Sequence, residues 1–99
     1  MAKVYISEYK TLTRDNRGHM LPGGQEPAAI EQNVEISGGS LQSEPFGENV
    51  RFVRIHAEAS CSLLFGADPV ATTDVKRMPA GATEYFGVQP GLKLAVISN

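Results

Sequence analysis

The second half of the chain constrains the fold most, because it is a series of short apolar runs separated by turn residues. These runs are Val50–His56, Cys61–Gly66, Thr83–Val88 and Leu92–Ile97. Each has the length of a β-strand and is rich in β-branched and aromatic residues, and none has the length or period of a core helix. The rest of the chain therefore has to complete or cover a sheet that these strands begin.

Length and composition predict a single domain spanning residues 1–99, with residues 50–98 as its core strands. A chain of 99 residues with 41% apolar residues can bury roughly two-thirds of its unfolded surface, and this composition argues against disorder. The lone Cys61 cannot form a disulfide within the chain. It lies in an apolar run, where a thiol behaves as a small buried hydrophobe.

Residues 1–24 are predicted to form an N-terminal arm or hairpin. Val4–Ile6 suits a half-buried strand, and Asp15–Gly18 suits a turn in which Gly18 takes a positive φ. Residues 19–21 would then run back along the first strand until Pro22–Gly24 ends the pairing.

The middle of the chain carries weaker signals. Residues 25–32 contain good helix formers after Pro27, but they are too few for a stable helix and are predicted to be a connection or a single turn. Val34 and Ile36 alternate with polar residues, as in a half-buried strand. Residues 41–46 predict one more short edge strand, because Pro45 cannot donate a ladder hydrogen bond.

Period-two alternation assigns faces in the second half. Val53, Ile55 and Ala57 share the predicted core face of one strand, and residues 61, 63 and 65 share that of the next. The two strands are separated by so few residues that an antiparallel hairpin is expected. Residues 66–74 have no period and predict a loop, and Gln89–Gly91 suits a type II turn.

Six to eight short strands without helices between them indicate an all-β fold, an antiparallel β-sandwich of the jelly-roll kind; a small β-barrel fits the same periodicity. The last strand is apolar on both sides, with Leu92, Leu94 and Val96 opposite Ala95 and Ile97. Either the chain covers this strand twice, or one of its faces meets another subunit.

The sequence nominates no catalytic, cofactor-binding or metal-binding residue. His19 and His56 lack ligands at metal spacing, and the aspartates do not form a calcium loop. A catalytic pair of Cys61 and His56 is disfavoured because Cys61 alternates with apolar residues. The net charge of −2 and the scattered basic residues argue against nucleic acid as a partner, and no apolar window is long enough for a signal peptide or a membrane span.

Two groups of side chains have competing interpretations. Arg51, Arg54, Lys76 and Arg77 would form a basic cluster if their strands were adjacent, but solvated edge charges are the favoured interpretation. Phe52, Tyr85 and Phe86 would suit stacking on a sugar ring, and are favoured as core or subunit contacts.

A resemblance to a known group of proteins is carried by five stretches, which are residues 1–9, 51–57, 61–66, 79–88 and 93–97. Over these stretches, most of the chain resembles small, largely uncharacterised proteins encoded among the virion structural genes of tailed bacteriophages and prophages. The resemblance implies a virion-associated structural role, such as capsid decoration or cementing or a head or tail accessory subunit. It carries no functional residues, because the matching stretches are those that make the fold.

Three functions are therefore compatible with the sequence, in the following order. The first is a non-enzymatic structural protein of a phage virion, assembled in the host cytoplasm, which forms a homo-oligomer and binds capsid or tail proteins. The second is a carbohydrate- or receptor-binding sandwich whose site lies on a loop such as residues 66–74. An enzyme ranks third, since no acid and base residues stand out by their spacing.

Overall fold

A computed structural model describes residues 2–14, 16–24 and 26–99, and everything it describes as regular structure is β-strand. The strands are β1 (Lys3–Tyr9), β2 (Leu12–Arg14), β3 (Met20–Gly24), β4 (Ile30–Glu35), β5 (Leu41–Gln42), β6 (Phe52–Ala57), β7 (Cys61–Gly66), β8 (Arg77–Met78), β9 (Thr83–Gly87) and β10 (Lys93–Ser98). The predicted all-β class is confirmed.

Eight of these strands form two antiparallel four-stranded sheets. The first sheet has the order β4-β1-β6-β9, and the second has the order β5-β10-β7-β8. β2 and β3 pair separately as a hairpin. Two packed antiparallel sheets make a β-sandwich, as predicted. The eight-strand count matches a jelly roll, and that finer assignment stays a prediction.

The core lies between the inward faces of the two sheets. Val53, Ile55 and Ala57 are fully buried on β6, as their alternation predicts. Opposite them, the second sheet contributes Leu63 and Leu94 together with other buried apolar side chains. Period-two patterning therefore places the core faces of the long strands correctly.

The predicted hairpin between residues 50–56 and 61–66 is wrong. β6 pairs with β1 and β9 in the first sheet, whereas β7 pairs with β10 and β8 in the second. The short connection crosses from one sheet to the other, and the buried sides of the two strands meet in the shared core. It contains no Asn-Gly or Asp-Gly pair, the residues that favour a tight hairpin turn.

The first 24 residues divide into two parts. β1 is a central strand of the first sheet, between β4 and β6, and does not belong to an arm. Residues 19–21 are expected to pair with the first strand. In the structure β3 instead pairs with β2, the strand that follows β1 in the chain. Gly18, with φ of 84°, lies in the turn as expected, while Asp15 of that turn lies outside the described residues.

In the middle of the chain, a strand begins within residues 25–32, where the sequence predicts a connection or a single turn. Gln25 lies outside the described residues, and from Ile30 onward the backbone joins β4, at the edge of the first sheet. Edge strands are solvated on several sides, so Ile30 stays exposed and the alternation that would have marked the strand is weak. The predicted strand over residues 41–46 is only Leu41–Gln42, although it does lie at an edge.

The loop after β7 covers the outer face of the second sheet. It leaves β7 at Gly66 and reaches past β10 to the β5 side, where the Gln42 amide donates to the Pro69 carbonyl oxygen at 2.8 Å and the Ala71 amide donates to Ser40 Oγ at 2.9 Å. It then returns to β8. Beneath it, the outward-facing Ala95 is fully buried. The chain itself thus covers the last strand at Ala95 on its outer face, while Ile97 on that face stays partly exposed.

The turn before that strand follows the sequence prediction. Gly91 has φ of 83°, which is the positive value that the third position of a type II turn requires. The Leu92 amide donates to the Gln89 carbonyl oxygen at 3.4 Å. The turn carries the chain from β9 in the first sheet to β10 in the second.

Replacement of Leu63 by alanine tests the assigned core. The side chain is 1% exposed, and its truncation should cost about 2–5 kcal/mol of unfolding free energy through lost burial and a residual cavity. Val70→Ala is the matched control, because Val70 is 65% exposed and its truncation should change stability by less than about 0.5 kcal/mol. Urea denaturation measures both. Equal effects of the two substitutions would contradict the assigned core.

Candidate functional site

The outer face of the first sheet is left partly open by the fold, with Tyr5 and Tyr85 among its exposed side chains. Its outward side chains are defined by the cross-strand pairs Tyr5↔His56, Ser7↔Arg54 and Tyr9↔Phe52, and on the next strand by His56↔Thr83 and Arg54↔Tyr85. We call this set the aromatic face; it comprises Tyr5, Ser7, Tyr9, Phe52, Arg54, His56, Thr83 and Tyr85.

Three rings run diagonally across the aromatic face. Tyr9 and Phe52 have ring centroids 6.1 Å apart and are tilted by 48°. Phe52 and Tyr85 are stacked, with centroids 5.5 Å apart and planes 12° apart. Such contacts hold aromatic side chains in fixed orientations. The row of rings is therefore a preformed surface.

Exposure increases along this row. Tyr9 is only 3% exposed, whereas Tyr85 is 52% exposed and nearby Tyr5 is 41% exposed. Two half-exposed tyrosines on one sheet face present both apolar ring surface and hydroxyl groups. Side chains of this type are enriched where proteins meet other proteins.

The β2–β3 hairpin buries the end of the row at Tyr9, which we call the closed end. The backbone of Gly24 lies against the Tyr9 ring so closely that a Cβ there would overlap the ring atoms. The Tyr9 hydroxyl donates to Glu26 Oε2 at 2.6 Å. Burial, followed by this hydrogen bond and the charge of Glu26, raises the pKa of Tyr9 from 10.0 to about 12, while Ser7 and Arg54 act weakly in the opposite direction.

Polar side chains border the rings. Nδ1 of His56 lies 2.8 Å from Oγ1 of Thr83, and Ser7 Oγ donates to Glu31 Oε1 at 2.9 Å. Arg54 lies in register between Ser7 and Tyr85. The face thus combines aromatic surface with hydroxyl, imidazole and guanidinium groups. It is suited to bind a partner surface.

A buried carboxylate lies directly behind this face. Glu8 is fully buried; its Oε2 accepts from the Gln32 side-chain amide at 2.8 Å and its Oε1 accepts from the Gly47 backbone amide at 2.9 Å. Gln32 Oε1 also accepts from the Glu44 amide at 2.9 Å. These bonds join the first sheet to the segment beside β10, where the Phe46 amide donates to the Leu92 carbonyl oxygen at 2.8 Å. The role of this network is structural, because both oxygens of the Glu8 carboxylate have hydrogen-bond partners within the chain.

The sequence analysis missed Tyr5, Tyr9 and Glu8. Their signal was present in the alternation of β1: once Val4 and Ile6 are assigned inward, Glu8 must also point inward and both tyrosines outward. Treating residues 1–24 as an arm concealed this signal, since an arm has no defined inner face.

The structure separates most of the residues that the sequence singled out. Cys61 is buried in the core of the second sheet, where burial raises the pKa of its thiol, whereas His56 lies on the aromatic face. Phe86 also turns inward, with its ring 5.2 Å from that of Phe65. Only Phe52 and Tyr85 of the predicted aromatic group meet each other at the surface.

The four basic residues are likewise divided. Arg51 donates to Gln89 Oε1 at 2.7 Å and Arg54 lies on the aromatic face. Lys76 and Arg77 belong to the other sheet, at β8, and the Lys76 ammonium is 5.4 Å from the centroid of the Phe86 ring. These positions do not make one basic cluster. Among the described residues, no group of three or more His, Cys, Asp or Glu side chains is arranged to hold a metal ion.

Comparisons with protein-family models, curated proteins and solved structures find no match to this chain. In the part of the chain that the structure describes, there is no helix of the length and apolarity needed to cross a membrane. Function therefore has to be argued from the geometry of the chain itself.

Titration of Tyr9 tests the geometry at the closed end of the aromatic face. An unfolded tyrosine ionises near 10.0 and folded Tyr9 near 12, so the unfolded state loses its proton first as the pH rises. The stability that this difference contributes is present below pH 10.0 and is lost as the pH rises through about 12.

The measurement is urea unfolding over this alkaline range for the wild type and for Tyr9→Phe. Phenylalanine cannot ionise, so the variant should lack the Tyr9 part of the alkaline decline. Glu26→Gln should lower the pKa of Tyr9, because it removes a neighbouring negative charge. Identical declines in the wild type and Tyr9→Phe would show that Tyr9 is not buried against Glu26.

Proposed function

We propose that the protein is a non-enzymatic structural subunit of a phage virion, which self-associates and binds an assembled capsid or tail lattice as a decoration, cementing or accessory protein. The observation that carries the proposal is the contrast between the two outer faces of the sandwich. One is covered by the chain's own loop, and the other presents exposed, preordered aromatic side chains.

The aromatic face has the composition of a protein-binding surface. Tyrosine and arginine are the residue types that dominate the energetics of interfaces, and here Tyr85 and Arg54 are cross-strand neighbours. The ring of Tyr85 is already held by stacking on Phe52, so little side-chain freedom would be lost on binding. A rigid, flat surface of this kind suits repeated docking on a regular lattice.

The covered face supports the same proposal by elimination. The loop of residues 67–76 covers Ala95 and Ser62 of the second sheet, which are buried, so that face offers less apolar strand surface to a partner, with Leu64 and Ile97 partly exposed.

The phage assignment rests on the resemblance of the chain to small proteins encoded among virion structural genes. A net charge of −2 favours protein partners over the packaged nucleic acid, because neutralising phosphates requires clustered basic side chains. The proposed location is accordingly the virion, reached by assembly in the host cytoplasm.

A carbohydrate- or receptor-binding module is the second candidate. Tyr85 offers an exposed ring, and His56 and Thr83 supply hydrogen-bonding groups beside it, a combination that also suits a sugar. The loop of residues 66–74 is a poor location for such a site, since its Pro69 and Ala71 are held against the second sheet. Binding on a glycan array that Tyr85→Ala abolishes would favour this candidate.

Binding to particles tests the proposal. The purified protein is mixed with particles of the encoding phage or prophage that were assembled without it, and the bound fraction is measured by co-sedimentation. Tyr85→Ala should weaken binding by roughly tenfold or more, as expected for the loss of an interface aromatic. Val70→Ala, a change to an equally prominent side chain on the opposite face, should bind like the wild type.

Two results would contradict the proposed function. One is a wild-type protein that stays in the supernatant at every concentration. The other is weaker binding of Val70→Ala together with unchanged binding of Tyr85→Ala, which would place the contact on the second sheet.

A further inference from the structure

The first sheet has two long edge strands, β4 and β9. Among the described residues, no strand pairs with the outer side of either one. The edges of the second sheet, β5 and β8, contain only two residues each. Short edge strands resist pairing with other chains, whereas longer ones are templates for it. The first sheet is therefore where strand addition is possible.

Backbone groups on β9 point away from the sandwich. The Val88 amide donates to the Arg51 carbonyl oxygen and the Ala57 amide donates to the Ala82 carbonyl oxygen, so even-numbered residues of β9 bond to β6. In an antiparallel ladder the alternate residues direct their N–H and C=O groups to the other side. Thr83, Tyr85 and Gly87 thus present donors and acceptors at the open edge.

The same alternation applies to β4. The Ile36 amide donates to the Ala2 carbonyl oxygen, and the pairing of β4 with β1 continues in this register. The backbone groups of Glu31, Asn33 and Glu35 therefore point outward. Each open edge offers matching groups from three alternate residues, and the side chains of these residues, all but Gly87 having one, lie on the outer face.

Strand direction makes the two edges compatible with each other. The order β4-β1-β6-β9 consists of antiparallel neighbours throughout, so β9 runs opposite to β4. When a second copy lies beside the first in the same orientation, its β4 meets β9 as an antiparallel neighbour. The first sheet can then continue from one copy to the next without turning over.

Charge favours this arrangement over pairing of like edges. The β4 edge carries exposed Glu31 and Glu35, and opposing two such edges would bring carboxylates together. The residues that would face this edge on β9 are Thr83, Tyr85 and Gly87, which carry no charge. Pairing of unlike edges therefore avoids the repulsion that two β4 edges would meet.

We infer that the chain assembles head to tail, with the β4 edge of one copy added to the β9 edge of the next. In this junction Asn33 lies opposite Tyr85, which keeps the outer faces of the two copies continuous. The inference rests on the self-association in the proposed function and specifies its surface. A contact between unlike edges forms a ring if the rotation closes and an open chain if it does not.

Proline substitutions on each edge test the inference. Asn33→Pro and Gly87→Pro each remove an outward N–H that bonds to nothing in the sheet and add a ring that obstructs a neighbouring strand; proline is tolerated at such edge positions. Each variant alone should be monomeric by light scattering, because each retains only one working edge. An equimolar mixture should form a one-to-one dimer and nothing larger.

Charge reversal provides a second test that does not depend on proline. Thr83→Glu places a second carboxylate opposite Glu35 of the neighbouring copy, and this variant should weaken self-association by roughly tenfold or more. Adding Glu35→Lys to the same chain should restore it, because the pair at every junction then has unlike charges. Circular dichroism and thermal unfolding confirm that each variant is folded.

The inference is overturned if either proline variant alone forms a dimer, since that contact would join like edges, or if both keep the mass of the wild type. A monomeric wild type that still co-sediments with particles would overturn the inference and the self-association in the proposed function, and would leave its lattice binding standing. A head-to-tail assembly that does not co-sediment with particles would leave the inference standing and contradict the lattice binding in the proposed function.

Discussion

The alternation of side chains along β1 is the constraint on which the rest of the structure depends. β1 lies between β4 and β6 in the first sheet, and its inward residues Val4, Ile6 and Glu8 are all buried. Glu8 is the unusual member, because a carboxylate in a core is tolerated only when hydrogen bonds replace its water. Gln32 and Gly47 supply those bonds, and in doing so they tie the first sheet to the segment that runs beside the second. The same alternation turns Tyr5 and Tyr9 outward, so one strand organises both the core and the aromatic face.

The sandwich is asymmetric because one long loop closes one of its faces. Residues 67–76 cross the second sheet and bury Ala95. The cover over this outward apolar residue of the last strand therefore comes from the same chain and not from a second subunit. Among the described residues, the β2–β3 hairpin covers the Tyr9 end of the first sheet's outer face, and the rest of that face and its two long edges stay open. In the proposed assembly, the face contacts the lattice and the edges contact other copies of the chain.

Local sequence patterns predicted the parts of the fold that local physics determines. The inward set Val53, Ile55 and Ala57 follows from period two, and the positive φ of Gly91 follows from its turn position. The pairing partners of the strands do not follow from local patterns. A three-residue connection, such as the one between β6 and β7, can close a hairpin or cross between sheets, and the choice depends on where the whole core lies. Of the aromatic face, Phe52 and Tyr85 were nominated from sequence. Tyr5 and Tyr9 were missed because their role depends on β1 being central, which is a tertiary fact.

In the proposed assembly, partners meet the first sheet and not the loop-covered second sheet. Covalent footprinting of tyrosine and aliphatic side chains, on the free protein and on particle-bound protein, distinguishes the two sheets. Tyr5 and Tyr85 are 41% and 52% exposed in the single chain and should become protected on binding. Val70, 65% exposed on the covering loop, should keep its reactivity. Protection of Val70 with unchanged labelling of both tyrosines would contradict the account.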